Sequence, residues 1–242
     1  MKVLIDPGHG GKDPGAVNGD LHEADIVLKI AKKVVNKLSQ YDNVQTKLSR
    51  STDVFLELKE RTDIANSWGA DVLISIHINS ATNKNANGIE TLIYTNGSNE
   101  SLVIASSVQS QLIREANRNN RGVKKANFHM LRESKMPACL VECGFISNAI
   151  ESSLMKTDKF LEQCANAIVK GIVEVYKLNL KKEVVKVANR PLTDREKEIQ
   201  AEAMELGITD GKNPFEPVDR FYLWSAMIPL AKRVRALEEK KK

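Results

Sequence analysis

The sequence predicts an α/β domain with helices flanking a sheet, followed by a small C-terminal helical unit. Two observations carry that prediction. Up to about residue 178, short β-rich runs alternate with longer amphipathic stretches, which is the pattern of helices layered on a sheet. The chain has 242 residues, 42% of them hydrophobic, enough for one filled core plus an appendage. In order, residues 2–6 read as a buried strand and are followed by a glycine-rich loop through Gly19. A helix over 23–39 then places Ile26, Ile30, Val34 and Leu38 on one face. A strand is predicted over 44–48, and Asp53 is placed to cap a helix that runs to Trp68. Strands over 71–78 and 88–94 carry the middle of the sheet, and a helix spans 100–118. A polar loop leads to the apolar run 137–142, which ends in a carboxylate, and a helix over 158–178 closes the domain.

Periodicity fails over residues 179–191, which carry Lys181, Lys182 and Lys186 and end in Arg190-Pro191, so this segment reads as a linker. Residues 192–242 read as a helix–loop–helix. Thr193 or Asp194 caps a helix reaching Leu206, Gly207 stops it, a turn-rich segment spans 209–214, and a second helix covers 218–237. So short a unit with few aromatics has a thin core, which points to self-association or to packing on another surface.

Composition narrows the functional classes. There is no stretch of ~18 uninterrupted apolar residues, so no membrane-spanning helix is expected. The N-terminal apolar run is only Val3-Leu4-Ile5, too short for a secretory signal, so the chain is read as synthesised in the cytoplasm without a signal peptide. The net charge of +5 is mild and diffuse, which favours polyanions in general but argues against nucleic acid as a partner. Cys139, Cys143 and Cys164 are an odd number without CxxC spacing and are expected as buried small hydrophobes rather than disulfides.

Four residues stand where chemistry collects. His9 lies in Asp6-Pro7-Gly8-His9-Gly10-Gly11, at the C-terminal end of the first predicted strand, and His77 lies in Ser75-Ile76-His77-Ile78-Asn79, again near a strand end. Glu23 opens the helix that follows the His9 loop. Two histidines and a carboxylate leave a fourth zinc position open, as in hydrolytic zinc sites where water fills it. Glu142, at the end of its apolar run, fits a general base. From spacing alone, a structural role for each histidine stays open.

These segments resemble the zinc-dependent N-acetylmuramoyl-L-alanine amidases of the amidase-3 type, found in phage endolysins, sporulation autolysins and cell-separation enzymes. The similarity rests on Val3-Leu4-Ile5-Asp6-Pro7-Gly8-His9-Gly10-Gly11, Leu21-His22-Glu23-Ala24-Asp25, Leu58-Lys59-Glu60-Arg61-Thr62 and Ala70-Asp71-Val72-Leu73-Ile74-Ser75-Ile76-His77-Ile78-Asn79. It continues through Gly88-Ile89-Glu90-Thr91, Arg121-Gly122-Val123-Lys124 and Met136-Pro137-Ala138-Cys139-Leu140-Val141-Glu142-Cys143-Gly144-Phe145. It covers about residues 1–178.

The resemblance implies a twisted mixed sheet, His9, Glu23 and His77 as zinc ligands, and Glu142 as the catalytic glutamate. Glu142 would take a proton from the attacking water and return it to the departing L-alanine nitrogen. Peptidoglycan is the implied substrate. Arg50 and Arg61 match arginines of the family pattern and are read as architectural, pairing with Asp53, Glu57 or Asp63. Asn79 and Glu90 are placed outside the catalytic set, as strand-end capping and strand pairing, and His22 and His129 as surface or packing residues. Only residues 147–156 separate the Glu142 motif from the closing helix, which leaves little room for the inserted plug helix of some family members.

The C-terminal unit, with Glu202-Ala203-Met204-Glu205-Leu206-Gly207-Ile208-Thr209-Asp210-Gly211, weakly resembles one surface-layer-homology repeat, which implies a secondary wall polymer or a second copy of the chain as partner. A zinc peptidase cutting a stem-peptide bond and a non-catalytic wall-binding protein are the competing readings. The expected setting is release to the wall by a phage holin or by mother-cell lysis.

Overall fold

The computed structural model describes residues 1–181, together with Asp194, Lys197, Glu198, Ala201 and Arg233. The chain divides into the units Met1–Lys181 and Lys182–Lys242. The expected helix–loop–helix and nearly all of the expected linker lie outside the described residues. Asn179 and Lys181, which close the first unit, are tied to the segment after the helix Glu23–Leu38: the Asp42 amide donates to the Asn179 carbonyl at 2.9 Å, and the Lys181 amide to the Gln40 carbonyl at 2.7 Å. Among the described residues no helix is long and apolar enough to cross a membrane.

The first unit is built on a six-stranded sheet of β1 (Lys2–Pro7), β4 (Gln45–Leu48), β5 (Val72–Asn79), β6 (Ile89–Tyr94), β7 (Asn120–Ala126) and β8 (Ala138–Phe145), in the order β4-β1-β5-β8-β6-β7. β4, β1, β5 and β8 run parallel, β6 is antiparallel to β8, and β7 is parallel to β6. A two-stranded hairpin of β2 (Val17–Asn18) and β3 (Leu21–His22) stands in the loop after β1. The helices are α1 (Glu23–Leu38), α2 (Leu58–Trp68), α3 (Asn99–Ala116), α4 (His129–Arg132), α5 (Ala149–Met155) and α6 (Asp158–Tyr176). The sheet is mixed and flanked by helices, as expected.

Period-2 alternation sorts the strands between two cores. Val3, Ile5, Val72, Ile74, Ile76, Cys139, Val141 and Cys143 join the larger core with residues of α1, α3 and α6, and the three cysteines are free and buried as predicted. Leu4, Leu73, Leu92, Ala138 and Leu140 face a smaller cluster with Ala65 of α2 and Met130 and Leu131 of α4. Asp6, Ser75, His77, Glu90 and Glu142 share the alternation of this second set. The polar site therefore lies on the sheet face that two shorter helices cover.

Three differences from the sequence reading have local causes. Asp53 does not cap α2: it accepts the Gly11 amide at 2.7 Å, while the helix starts at Leu58 behind a reciprocal capping box between Glu57 and Glu60. The loop after α3 contains β7, an edge strand whose Arg121, Lys124 and Lys125 hide it from a search for apolar alternation; charge is what an edge strand needs to resist pairing with other chains. The segment after β8 forms α5, capped by the Asn148 side chain, which accepts from the Ile150 and Glu151 amides. Glu151, fully buried, accepts the Gly88 and Phe145 amides at 2.9 and 2.8 Å and Arg118 Nε at 3.2 Å.

Candidate metal and catalytic site

The site begins with a buried charge beneath it. Asp6, at the end of β1, accepts Ser49 Oγ at 2.5 Å, Ser75 Oγ at 2.7 Å and Arg61 Nη1 at 2.9 Å. Burial alone would raise its pKa, but the Arg61 guanidinium and the two hydroxyls hold it below the usual carboxylate value. Arg61 also donates to the Pro7 carbonyl at 2.7 Å and the His9 carbonyl at 2.6 Å. Arg50 donates to the carbonyls of Pro7, Gly8 and Ala24 at 3.0, 2.7 and 2.9 Å. Both arginines are architectural, but their partners are Asp6 and backbone carbonyls rather than the nearby Asp53, Glu57 or Asp63. Each spreads planar donors over a turn whose carbonyls would otherwise be buried without partners.

Arg61→Met is accordingly expected to cost about 3–5 kcal/mol, because it leaves the Asp6 charge buried and uncompensated. Denaturant unfolding that shows a loss below about 1 kcal/mol would contradict that role for the pair.

The clamped turn aims the histidines. His9 adopts φ 57°, a left-handed conformation uncommon for a residue with a side chain, and Arg61 holds its carbonyl there. Gly8 packs directly against His77, since a Cβ at Gly8 would lie 2.2 Å from His77 Cε1. Gly15 has φ 67° and a Cβ there would meet Glu23 Oε2 at 2.7 Å, so both positions exclude larger residues.

His9, Glu23 and His77 converge, each offering a ligand atom, and these atoms lie within 4.8 Å of one another. Glu23 Oε1 is 3.2 Å from His9 Nε2 and 2.9 Å from His77 Nδ1, and it also accepts the Ile78 amide at 2.9 Å. Glu23 Oε2 accepts the Ala16 amide at 2.9 Å. His9 Nδ1 meets Asp13 Oδ2 at 2.7 Å, which turns Nε2 toward the cluster. Such an outer carboxylate orients a metal-ligating imidazole. Asp13 is a partner of the site that reasoning from the sequence passes over; its signal is the spacing of four from His9 inside the glycine-rich loop.

Desolvation would lower the His9 pKa, yet hydrogen bonding and charge from Glu23 and Asp13 raise it to about 9. Burial likewise works to lower His77, and the Glu23 hydrogen bond together with the charges of Glu142 and Glu23 outweighs it, so that the pKa rises. Burial would raise Glu23, but the two histidines hold it far below the carboxylate range. The cluster is thus a set of two nitrogen donors and one oxygen donor, bridged by protons that a divalent cation would displace. That donor set fits a tetrahedral metal with one open position.

Glu142 sits within β8 rather than at its end, beside His77 in the β5–β8 register and opposite Glu90 in the β6–β8 register. Its Oε2 is buried with no hydrogen-bond partner, singular among the described side chains. Burial pushes its pKa up to about 7, with Glu23 and Glu90 adding to the rise and His77 and His9 opposing it. Glu90 accepts Asn79 Nδ2 at 3.1 Å, Arg121 Nε at 2.6 Å and Lys124 Nζ at 2.6 Å. His22 lies exposed at the start of α1, and His129 Nε2 is 3.3 Å from Thr62 Oγ1; neither belongs to the cluster.

An α/β domain that gathers two histidines, a glutamate and a second, partnerless glutamate around its central strands has the donor set and the acid–base group that the class of metal-dependent hydrolases requires. Within that class the chain belongs to the N-acetylmuramoyl-L-alanine amidase family Amidase_3, whose model matches residues 3–174. It is similar to the sporulation-specific N-acetylmuramoyl-L-alanine amidase of Bacillus subtilis, 40% identical over 183 residues that cover 75% of this chain and 70% of that one. It is also similar to the endolysin of Bacillus phage SPP1, 40% identical over 188 residues covering 74% and 67% respectively. The crystal structure of an N-acetylmuramoyl-L-alanine amidase from Clostridium difficile 630 superposes with a TM-score of 0.71 at 40% identity, covering 73% of this chain and 96% of that one. The chain is accordingly an amidase that hydrolyses an amide bond of peptidoglycan.

Proposed function

We propose that the metal is zinc, held by His9, Glu23 and His77, and that Glu142 is the general base and acid for cleavage between N-acetylmuramic acid and L-alanine. The observation that carries this reading is the partnerless, buried Oε2 of Glu142 beside His77 and the three-residue cluster. A buried acceptor without a donor costs stability and persists where a ligand or reacting group completes it. Zinc bound there would supply Lewis acidity, making water more acidic and polarising an amide carbonyl.

The rest of the work falls to the chain. Asp13 holds the His9 ring in place, and Arg50 and Arg61 hold the turn beneath it. Glu142, with its pKa near 7, takes a proton from the attacking water and passes it to the departing nitrogen, which leaves as the amine of L-alanine. Mass spectrometry of digested peptidoglycan tests the assignment. New amino termini at L-alanine support it, termini inside the stem peptide would favour a zinc peptidase, and no new termini would favour a wall-binding protein without catalysis.

Residues 192–242 are proposed as an attachment unit for a secondary wall polymer or for a second copy of the chain. The proposed setting is the wall after release by a holin or by mother-cell lysis. A protein ending at Lys181 is expected to cut soluble muropeptides at rates close to the full chain's and to co-sediment with whole walls about tenfold less, since tethering raises local concentration without touching the site. Equal sedimentation of a stable truncated protein would refute attachment by this unit.

A further inference from the structure

We infer that Arg121 and Lys124 bind a carboxylate of the departing stem peptide and so set which stems the enzyme prefers, an inference that rests on the amidase reading above. The argument starts from direction. A group that protonates the leaving nitrogen must stand on the leaving-group side of the scissile bond, and Glu142 stands on β8. In the sheet order, β5 and β1 with the histidines lie on one side of β8, while β6 and β7 lie on the other. The leaving peptide therefore runs out over β6 and β7, and the acyl part lies over the histidine side.

The two sides differ in chemistry in the way the substrate does. Beyond Glu142 comes Glu90, directly opposite it in register, and then Arg121 and Lys124 reaching in from β7, each 2.6 Å from Glu90 Oε2. Two cations on one carboxylate leave a positive charge over. Their side chains are 30% and 43% exposed, open to an arriving anion, while that of Glu90 is 10% exposed. Among the described residues the Lys124 ammonium bonds only Glu90, and the Arg121 guanidinium bonds Glu90 and, at 3.5 Å, the Asn87 carbonyl, so terminal donors remain. The Arg121 guanidinium is stacked 4.8 Å over the Phe145 ring, which orders it before any ligand arrives.

On the histidine side, a cavity of about 350 Å³ is lined by Phe55, Leu56, Leu58 and Met130 along with His9 and His77. Asp13 and Glu57 add negative charge to its lining, and the Arg61 cation there is offset by Asp6 and bonded to backbone carbonyls. That side suits an uncharged N-acetylated sugar and, among its lining residues, offers a carboxylate no unpaired side-chain cation.

Reach agrees with charge. Adjacent strands lie about 4.8 Å apart, so the cations stand roughly 5–10 Å beyond Glu142. An extended peptide covers about 7 Å in two residues, which brings a carboxylate on the second stem residue to Arg121 and Lys124.

The test compares two soluble muramoyl peptides that differ only in the α-carboxyl of the second stem residue, free in one and a carboxamide in the other. The 242-residue protein loaded with zinc is expected to cut the free acid with a kcat/KM about fivefold higher at low salt, mostly through KM, the size expected for partly exposed ion pairs. That ratio should fall toward one near ~1 M salt, where the screening length shrinks to about 3 Å. Lys124→Gln and Arg121→Gln should each lower the ratio as well. A structural role would depress both substrates together and leave the ratio alone, so a ratio unchanged by salt and by both variants overturns the inference. Equal cleavage of the two peptides by the wild-type enzyme overturns this inference while sparing the amidase reading. Failure of the wild type to break the muramoyl–alanine bond in either peptide overturns both.

Discussion

Glu142→Gln is expected to keep a full complement of zinc and to lose about 10²–10⁴-fold in turnover, the range that a positioned acid–base group contributes. The amide is close in size to the acid and can neither accept water's proton nor deliver one to the amine. The Glu142 pKa near 7 places the group where both transfers are feasible close to neutral pH, and a bound dication beside it would draw that value down. Because Oε2 has no hydrogen bond to lose, the substitution should cost little stability, and this separates a chemical defect from misfolding. Metal analysis together with single-substrate kinetics checks the expectation. Residual turnover above about 1% of wild type would remove Glu142 from the base role.

His77→Ala and His9→Ala are each expected to lose both metal and activity, since two remaining protein ligands make a poor zinc site. The protonation of the metal-free cluster adds a pH signature. The folded-state pKa of His9, about 9, lies above the ordinary histidine value of 6.5. The stabilisation that its proton confers on the metal-free protein is therefore fully present below the unfolded value and is lost as pH rises through about 9. Zinc displaces that proton, so its affinity, and the rise in melting temperature that it produces, should grow with pH over the same window. Melting curves with and without zinc at both ends of the window check the sign. Undiminished zinc occupancy in either histidine variant, or a zinc-induced rise that is larger in acid, would contradict the ligand assignment.

Much of this molecule was legible in the amino-acid order by itself. The apolar run Val3-Leu4-Ile5 and the apolar-rich segment 72–78 mark strands because a strand buried on both faces needs apolar side chains above and below, and both segments are central in the sheet. The Ile26, Ile30, Val34 and Leu38 stripe marks α1, whose four members are all buried. His9, Glu23, His77 and Glu142 stood out because each occupies an element end or the edge of an apolar run.

Only the tertiary structure decided how those residues work. Register between β5 and β8 puts Glu142 beside His77, and register between β6 and β8 puts Glu90 opposite Glu142; side chains brought together from segments tens of residues apart leave no trace in local periodicity. The same holds for Arg61 reaching back to Asp6 and His9; Asp13 is local, four residues from His9, but only the structure shows that its carboxylate meets Nδ1 of the imidazole. β7 escaped notice because an edge strand at the end of a sheet is half-solvated and carries charge where a central strand carries valine. Sequence determined which faces are buried, because burial is a property of each residue's own surface. Structure decided which polar groups meet, because hydrogen bonds and ion pairs need two partners and a fold to bring them together.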